Sequence, residues 1–227
     1  DEDDDDDEEE EESSGASDED SDGFFERTVA RRGPKQRLVT GQRDNPAAYG
    51  LFFSLSSLAD RPLTVTSLAT ASHRLCASPL PLALFVSPGG SEGKEEDASA
   101  WEEVGREEEK TELPAIWDYG VSSARHYGAL PLSRPLTLQP HETLGVCVIA
   151  SAPDAIVLRA LQRVPPDQED RKGSGKRRFA QGEVTDENGQ LALRAGRVVG
   201  VPLSEAFKST ETDCYGFCGV VKYTLGS

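Results

Sequence analysis

The chain contains no methionine among its 227 residues, so we expect that it does not begin at its own start codon. We therefore expect a fragment or a processed product of a longer protein. Long hydrophobic runs are also missing. The longest mostly apolar stretch, residues 80–86, contains Pro81 and falls short of the roughly 18 residues that a membrane-spanning helix needs. We expect a soluble chain with no membrane partner.

Basic residues are absent from residues 1–22, which hold 16 of the 41 acidic residues. Without this segment the net charge changes from -17 to -1, so the acidity belongs to the segment and not to the rest of the chain. Dense like charge without apolar residues cannot form a core, and we predict a disordered acidic tail over residues 1–23. The tail is either a spacer or an electrostatic arm for a basic protein such as a histone. A calcium site is disfavoured because a uniform carboxylate run lacks a glycine turn.

Cysteine is scarce, with four residues at no regular spacing. This pattern is typical of reduced thiols in an intracellular protein, and we expect a cytoplasmic location. Four side chains could together form a zinc ligand set if the fold brought them close, namely His73, Cys76, Cys214 and Cys218. Bulky Tyr215 and Phe217 stand between the last two cysteines instead of a tight knuckle, so we interpret the cysteines as small apolar side chains or as a bridged pair. We predict no metal and no cofactor.

Signatures of catalysis are missing as well. The sequence Gly-Ser-Gly-Lys at 173–176 lacks the first glycine and the Ser or Thr that a phosphate-binding loop requires. The chain has three histidines, and His141 reads as a turn residue. No spacing points to a nucleophile with a base and an orienting carboxylate. We predict that the protein is not an enzyme.

Short apolar runs, separated by Gly, Pro, Asn or Asp about every ten residues, begin after residue 24 and are typical of β-strands. We predict strands at 37–40, 49–55, 63–68, 82–86, 101–104, 136–138, 145–150, 155–158, 191–193, 197–200 and 219–225. Only residues 158–163 and 204–208 could support a turn or two of helix. The pattern predicts one all-β domain, residues 24–227, folded as an antiparallel β-sandwich, with a barrel as the alternative.

Two long surface loops are predicted, one over residues 87–113 around Trp101 and one over residues 165–182. The second loop holds a basic cluster formed by Arg171, Lys172, Lys176, Arg177 and Arg178. This cluster is a flexible basic loop or a patch for nuclear import or nucleic acid. The domain has no basic excess to hold a polyanion, so a nucleic-acid partner is not expected.

Aromatic and polar side chains are concentrated between residues 117 and 127. The types present are those enriched at binding hot spots, and we predict a partner-binding set of Trp117, Tyr119, Arg125, His126 and Tyr127. In the alternative interpretation, Trp117 and Tyr127 close one end of the sandwich.

Several motifs, taken in chain order, resemble the PHR-type β-sandwich of the Pam/Highwire ubiquitin ligases and related sandwich domains of algal and other protist proteins. They are YGLFFSL at 49–55 with LTVTSL at 63–68, LALFVSPGG at 82–90 with WEEV at 101–104, the run at 130–147, and YGFCGVVKY at 215–223. The resemblance implies a jelly-roll-like recognition domain linked to ubiquitin transfer. The chain lacks a RING-like cysteine and histidine array, so any ligase activity would lie elsewhere in the parent protein.

The sequence therefore predicts a non-catalytic protein-interaction module whose loops hold a partner protein. A structural subunit that serves as a packing domain of a large assembly is the first alternative. A carbohydrate-binding sandwich is the second.

Overall fold

Two antiparallel β-sheets pack face to face, which confirms the predicted all-β sandwich. The computed structural model of the chain describes residues 34–41, 46–73, 80–108, 113–115, 127–163 and 176–226. The strands belong to one compact unit, Arg31–Ser227. The predicted acidic tail lies outside the described residues.

The smaller sheet has five strands, in the order β1-β17-β4-β7, with β8 also paired to β4. Their bounds are β1 Lys35–Val39, β4 Leu63–Thr70, β7 Gly128–Ala129, β8 Leu136–Leu138 and β17 Gly219–Leu225.

The larger sheet has ten strands, eight of which run in the order β2-β10-β16-β15-β3-β9-β5-β6. Their bounds are β2 Ala47–Ala48, β3 Gly50–Ser57, β5 Leu82–Pro88, β6 Glu102–Glu107, β9 Thr143–Ala150, β10 Ile156–Arg159, β15 Gly196–Val199 and β16 Thr210–Phe217. The other two strands, β13 Val184–Glu187 and β14 Leu191–Arg194, extend this sheet because β14 pairs with β3. A separate hairpin joins β11 Leu161–Arg163 to β12 Lys176–Arg178.

The main core lies between the two sheets and follows the two-residue period of the strands. In β4, Leu63 and Val65 are fully buried while Thr64 and Thr66 face outward, as the alternation predicts. Phe53 of the larger sheet stacks on Phe217 with ring centroids 4.6 Å apart. Strand β9 is apolar on both faces and has strand partners on both sides, which confirms its predicted central place.

A second apolar cluster covers the outer face of the larger sheet. The ring centroid of Phe52 lies 5.3 Å from that of Trp101 and 6.0 Å from that of Phe207. The predicted surface loop 87–113 is therefore wrong in its middle, because Trp101 is buried in this cluster and β6 follows it. The segment is drawn onto the sheet because β3 and β5 present Phe52 and Phe85 on their outer faces.

Each of the eleven predicted strands overlaps an observed strand. The prediction of helix at 158–163 is wrong, because β10 and β11 occupy it, and at 204–208 the structure has a 3₁₀ turn over Leu203–Glu205. A second 3₁₀ turn spans Ala98–Ala100. Six of the seventeen described strands were not predicted, namely β2, β7, β11, β12, β13 and β16. The longest of them, β16, carries Glu211 and Asp213 in its first half and lacks an apolar pattern there. Within the described residues, no helix has the length and apolar character needed to cross a membrane.

Candidate functional site

A polar cleft of about 230 Å³ opens on the outer face of the larger sheet, on the same face as the second apolar cluster. Its lining residues come from three strands and two loops: Ser54, Gly89, Gly90, Ser91, Glu92, Thr143, Gly182, Arg194 and Ala195. Hydroxyl groups, glycine backbone and one guanidinium make up most of this lining. The cleft therefore offers hydrogen bonds and charge rather than an apolar surface.

Strand register forms the floor of the cleft. Ser54 and Ser56 alternate with core residues of β3, so both side chains point to the outer face. Arg194 on β14 is the register partner of Ser54, and Thr143 on β9 is the register partner of Ser56. The Thr143 Oγ1 and Ser56 Oγ atoms lie 2.9 Å apart. Three strands thus contribute polar side chains to one small area.

The segment after β5 forms the first wall. Gly89 and Gly90 adopt positive φ angles of 75° and 95°, a region that residues with a Cβ rarely enter. The turn returns the backbone to the sheet, where Gly89 N–H donates to Thr143 O at 2.9 Å and Ser91 N–H donates to Ser54 Oγ at 3.0 Å. The backbone runs so close to β9 that a Cβ on Gly145 would lie 2.7 Å from the carbonyl carbon of Gly90.

Trp101 fixes the far end of the same wall. Its Nε1 donates to Lys94 O at 2.9 Å, while its ring packs in the second apolar cluster. The Lys94 ammonium in turn donates to Gly90 O at 3.1 Å and to Pro88 O. The apolar cluster and the cleft wall are therefore one connected structure.

Arg194 is the charged group of the cleft. Its Nε donates to Ser56 Oγ at 2.8 Å and its Nη1 donates to Gly182 O at 3.0 Å. A guanidinium has five N–H donors, so three remain without a partner in the described part of the chain. The two bonds hold the planar group in place beside the hydroxyls, while Glu92 stands on the rim.

A partly buried polar network adjoins Gly182, one of the lining residues of the cleft. Gln181 Nε2 donates to Glu95 Oε1 at 2.5 Å, and Arg197 Nε donates to Gln181 Oε1 at 3.2 Å. Glu95 is only 4% exposed, so the amide of Gln181 links a buried carboxylate to a guanidinium. Linked hydrogen bonds of this kind restrict the local backbone. The Gln181–Gly182 turn that receives the Arg194 bond is anchored in this way.

Cys214 is the register partner of Arg197 and adjoins this network. Burial raises the pKa of its thiol; Arg197 lowers the pKa and Glu95 raises it, both by smaller amounts. The thiol is therefore protonated near neutral pH, and a protonated thiol is a poor nucleophile.

The predicted partner-binding set is described only at Tyr127. Trp117, Tyr119, Arg125 and His126 lie outside the described residues. Tyr127 packs against a small buried cluster of Ala71, Val157 and Cys218, and its Oη lies 3.7 Å from Cys218 Sγ. The partner-binding role of this stretch stays a prediction.

The candidate zinc ligands are not brought together where they are described. Cys214 lies in β16 and Cys218 directly follows that strand, so extended chain separates them by about 13 Å. Two thiolates on one zinc each lie about 2.3 Å from the metal, which this separation does not allow. Cys76 lies outside the described residues, and the rest of the described chain shows no group of three His, Cys, Asp or Glu suited to a metal. Cys147, Cys214 and Cys218 are free thiols, the first and last fully buried.

Three residues of the basic cluster are in a strand, because Lys176, Arg177 and Arg178 form β12. Arg171 and Lys172 lie outside the described residues. The side chain of Arg178 forms an ion pair with Asp213 of β16. The predicted surface loop 165–182 is therefore wrong at 176–178, and Phe179, the next residue, is buried.

Two described histidines lie away from the cleft lining. His141 is in the turn before β9 with a φ of 60°, as its interpretation as a turn residue implies, and its Nε2 lies 3.4 Å from Asp60 Oδ1. His73 follows β4. Neither provides a base for the cleft serines.

The sequence analysis missed the cleft. The signals present in the sequence were the Gly89-Gly90 pair directly after a strand and the alternating hydroxyls of Ser54 and Ser56. Neither signal predicts that Arg194 lines the cleft, because Arg194 is placed there by the pairing of β14 with β3.

Comparisons of the chain with protein-family models and with curated proteins give no match.

Proposed function

We propose that this domain is a non-catalytic protein-interaction module that binds a carboxylate group of a partner protein in the polar cleft. The observation that carries the proposal is the fixed guanidinium of Arg194, which has N–H donors left over beside the hydroxyls of Ser54 and Thr143. Arginine suits planar carboxylates because two parallel N–H groups match the two oxygens. A group already held in place loses little further entropy on binding.

The size of the cleft favours a side chain over a free small molecule. Sites for drug-sized ligands usually enclose roughly 300–1,000 Å³ and are lined mainly by apolar residues. The cleft encloses about 230 Å³ and has a polar lining. It has room for one acidic side chain or a chain terminus, while the rest of the partner would lie on the surrounding surface.

The bonding of the serines supports a binding role rather than catalysis. Ser54 Oγ and Ser91 Oγ lie 3.1 Å apart and bond to one another. Among the described lining residues there is no histidine or lysine that could act as a base for either hydroxyl. A serine nucleophile needs such a base.

The resemblance to PHR-type domains points the same way, because those sandwiches are recognition parts of larger ligases. On that basis the partner is a protein bound for ubiquitin transfer, and the module works inside the cell. The three described thiols are free, as expected in a reducing compartment.

A peptide array tests the proposal. Labelled full-length protein is applied to peptides that carry Asp, Glu or a free C-terminus, and to the same peptides with Asn, Gln or an amidated C-terminus. We expect carboxylate-dependent spots that disappear with the Arg194→Gln variant and persist with the Arg134→Gln variant, in which an exposed arginine on another surface is changed. Equal binding to the carboxylate peptides and to their amide counterparts, unchanged by Arg194→Gln, would overturn the proposal.

A further inference from the structure

The smaller sheet contains no acidic residue. Its five strands hold 25 residues, of which three are basic and none is Asp or Glu. The ten strands of the larger sheet hold seven acidic residues. The smaller sheet therefore differs in charge from the larger one and forms a basic surface.

The three basic side chains share the outer face of the sheet. Lys222 lies between the core residues Val221 and Tyr223, so its side chain points away from the core. It is the register partner of Arg37, and Lys35 lies two residues before Arg37 on the same strand. All three are exposed. We call this surface the basic face.

Arg37 and Lys222 lie directly opposite each other on neighbouring strands. Side chains in such a pair are about 5 Å apart at Cβ, and like charges in this position destabilise a sheet. None of the three cations forms an ion pair within the part of the chain that the structure describes. Among the described residues this charge has no acidic partner, although other described cations, such as Arg106, Arg134 and Arg178, do.

Hydroxyl groups and one apolar side chain complete the basic face. Thr66 Oγ1 donates to Lys222 O at 3.3 Å. Thr64 and Thr137 also point outward from this sheet, and their Oγ1 atoms lie 3.4 Å apart. Val39, at the end of β1, is 37% exposed and is the one large exposed apolar side chain among the described residues. The surface thus combines positive charge, hydrogen-bonding groups and an apolar contact.

We propose that the basic face binds an extended acidic segment of a partner protein. Alternate side chains of an extended chain lie about 6.6–7 Å apart, which is the spacing between Lys35 and Arg37 on β1. Carboxylates at alternate positions of the segment would face Lys35 and Arg37 in turn. The segment also relieves the repulsion between Arg37 and Lys222, which gives binding a favourable contribution.

Charge complementarity favours an acidic peptide over a nucleic acid. Nucleic-acid affinity grows with the number of phosphates that are neutralised, and this face offers three cations. The strands of the larger sheet carry seven acidic residues, which would repel a long polyanion that extends beyond the face. A short acidic segment places its charge only on the face.

The basic face is independent of the cleft. It lies on the outer side of the smaller sheet, whereas the cleft lies on the outer side of the larger sheet. Loss of one surface is therefore expected to leave binding at the other unchanged.

Fluorescence anisotropy with the full-length chain tests the proposal. The probe is a labelled peptide of alternating Glu and Thr, and the control peptide has Gln in place of each Glu. We expect the Glu peptide alone to bind at about 0.01 M ionic strength, and binding to weaken at about 0.15 M, where the Debye length falls from about 30 Å to about 8 Å.

Two double variants with the same change of net charge locate the binding site. Arg37→Gln with Lys222→Gln is expected to weaken peptide binding about fivefold or more, since two exposed charge contacts are lost. Arg134→Gln with Lys208→Gln changes exposed cations elsewhere and is expected to leave binding unchanged. Circular dichroism of both variants shows whether the fold is retained.

Equal weakening by both double variants would overturn the proposal, as would no binding at low salt. Tighter binding of an oligo-dT probe would show a nucleic-acid surface instead. Tighter binding to phosphatidylserine vesicles would show a lipid surface instead. Either result would replace the acidic-segment proposal.

Discussion

Arg194 Nε donates a hydrogen bond to Ser56 Oγ at 2.8 Å, across the boundary between β14 and β3. Ser56 Oγ in turn lies 2.9 Å from Thr143 Oγ1 on β9, so side chains from three strands hold one another in place. The guanidinium is fixed by the strand register before any ligand arrives. A side chain that is held in place in this way is suited to binding a ligand, unlike a mobile arginine on the protein surface.

The Gly145→Ala variant is expected to disturb the cleft wall. The new methyl group would lie 2.7 Å from Gly90 backbone atoms, and β9 cannot move away without disturbing its pairing with β3 and β5. We expect a loss of about 2 kcal/mol in the free energy of unfolding, measured by urea denaturation. At Gly200 a new methyl group would meet only the Glu211 and Ser209 side chains, the nearest at 3.6 Å, so Gly200→Ala serves as the control. Equal stability of the two variants would contradict the close approach.

Trp101 is expected to stabilise the loop that carries Gly89 to Glu92. The Trp101→Phe variant retains a ring in the cluster but loses the Nε1 bond to Lys94 O, which is worth about 1 kcal/mol. Trp101→Ala also loses the ring contacts with Phe52 and Phe207 and should cost about 3–5 kcal/mol. Chemical denaturation measures both values. A smaller loss of stability for Trp101→Ala than for Trp101→Phe would contradict a stabilising role of the ring contacts with Phe52 and Phe207.

Removing one of the opposed cations is expected to stabilise the free protein. Lys222→Gln removes the repulsion with Arg37 and should raise the free energy of unfolding by roughly 0.2–1 kcal/mol at low ionic strength. The gain should shrink as salt rises, because exposed charges are then screened. Thermal denaturation at two salt concentrations measures it, with Lys208→Gln as the control. A loss of stability at low salt would show that Lys222 has a favourable contact.

The described thiols are expected to react with iodoacetamide in a fixed order. Burial raises the pKa of the Cys147 thiol well above its ordinary value, and the buried Cys218 thiol also has a raised pKa for the same reason. Cys214 is only half-buried, so it should be alkylated first. Peptide mass spectrometry should find Cys147 at least about 100-fold slower, because the second apolar cluster, which buries it, must open before it reacts. Equal rates for Cys147 and Cys214 in the folded protein would contradict the burial of Cys147 in this cluster.

The strand pattern could be predicted from sequence because it is local. The alternation of Leu63 and Val65 with Thr64 and Thr66 predicts a half-buried strand, and the apolar run at 145–150 predicts a central one. Both predictions are confirmed. Strand β16 was missed because its Glu211 and Asp213 face solvent at the edge of a turn, and nothing local marks its pairing with β15.

The cleft could not be predicted in this way because it depends on contacts distant in sequence. Ser54 meets Ser91 and Arg194 only through strand pairing and the return of the 89–92 segment to the sheet. The loop prediction for 87–113 failed for a related reason. The Gly, Glu and Ser content of this segment is typical of a surface loop, but Trp101 packs against Phe52 and holds the segment on the sheet.

Site-specific photocrosslinking in cells tests whether the polar cleft binds a partner protein through Arg194. A photoreactive amino acid is placed at Glu92, on the rim of the cleft, and at Lys208 as an exposed control, in full-length protein expressed in cells. The account predicts a crosslinked partner protein from position 92 alone, and its disappearance when Arg194→Gln is added but not when Arg134→Gln is added. The same crosslinks with and without Arg194 would contradict the account.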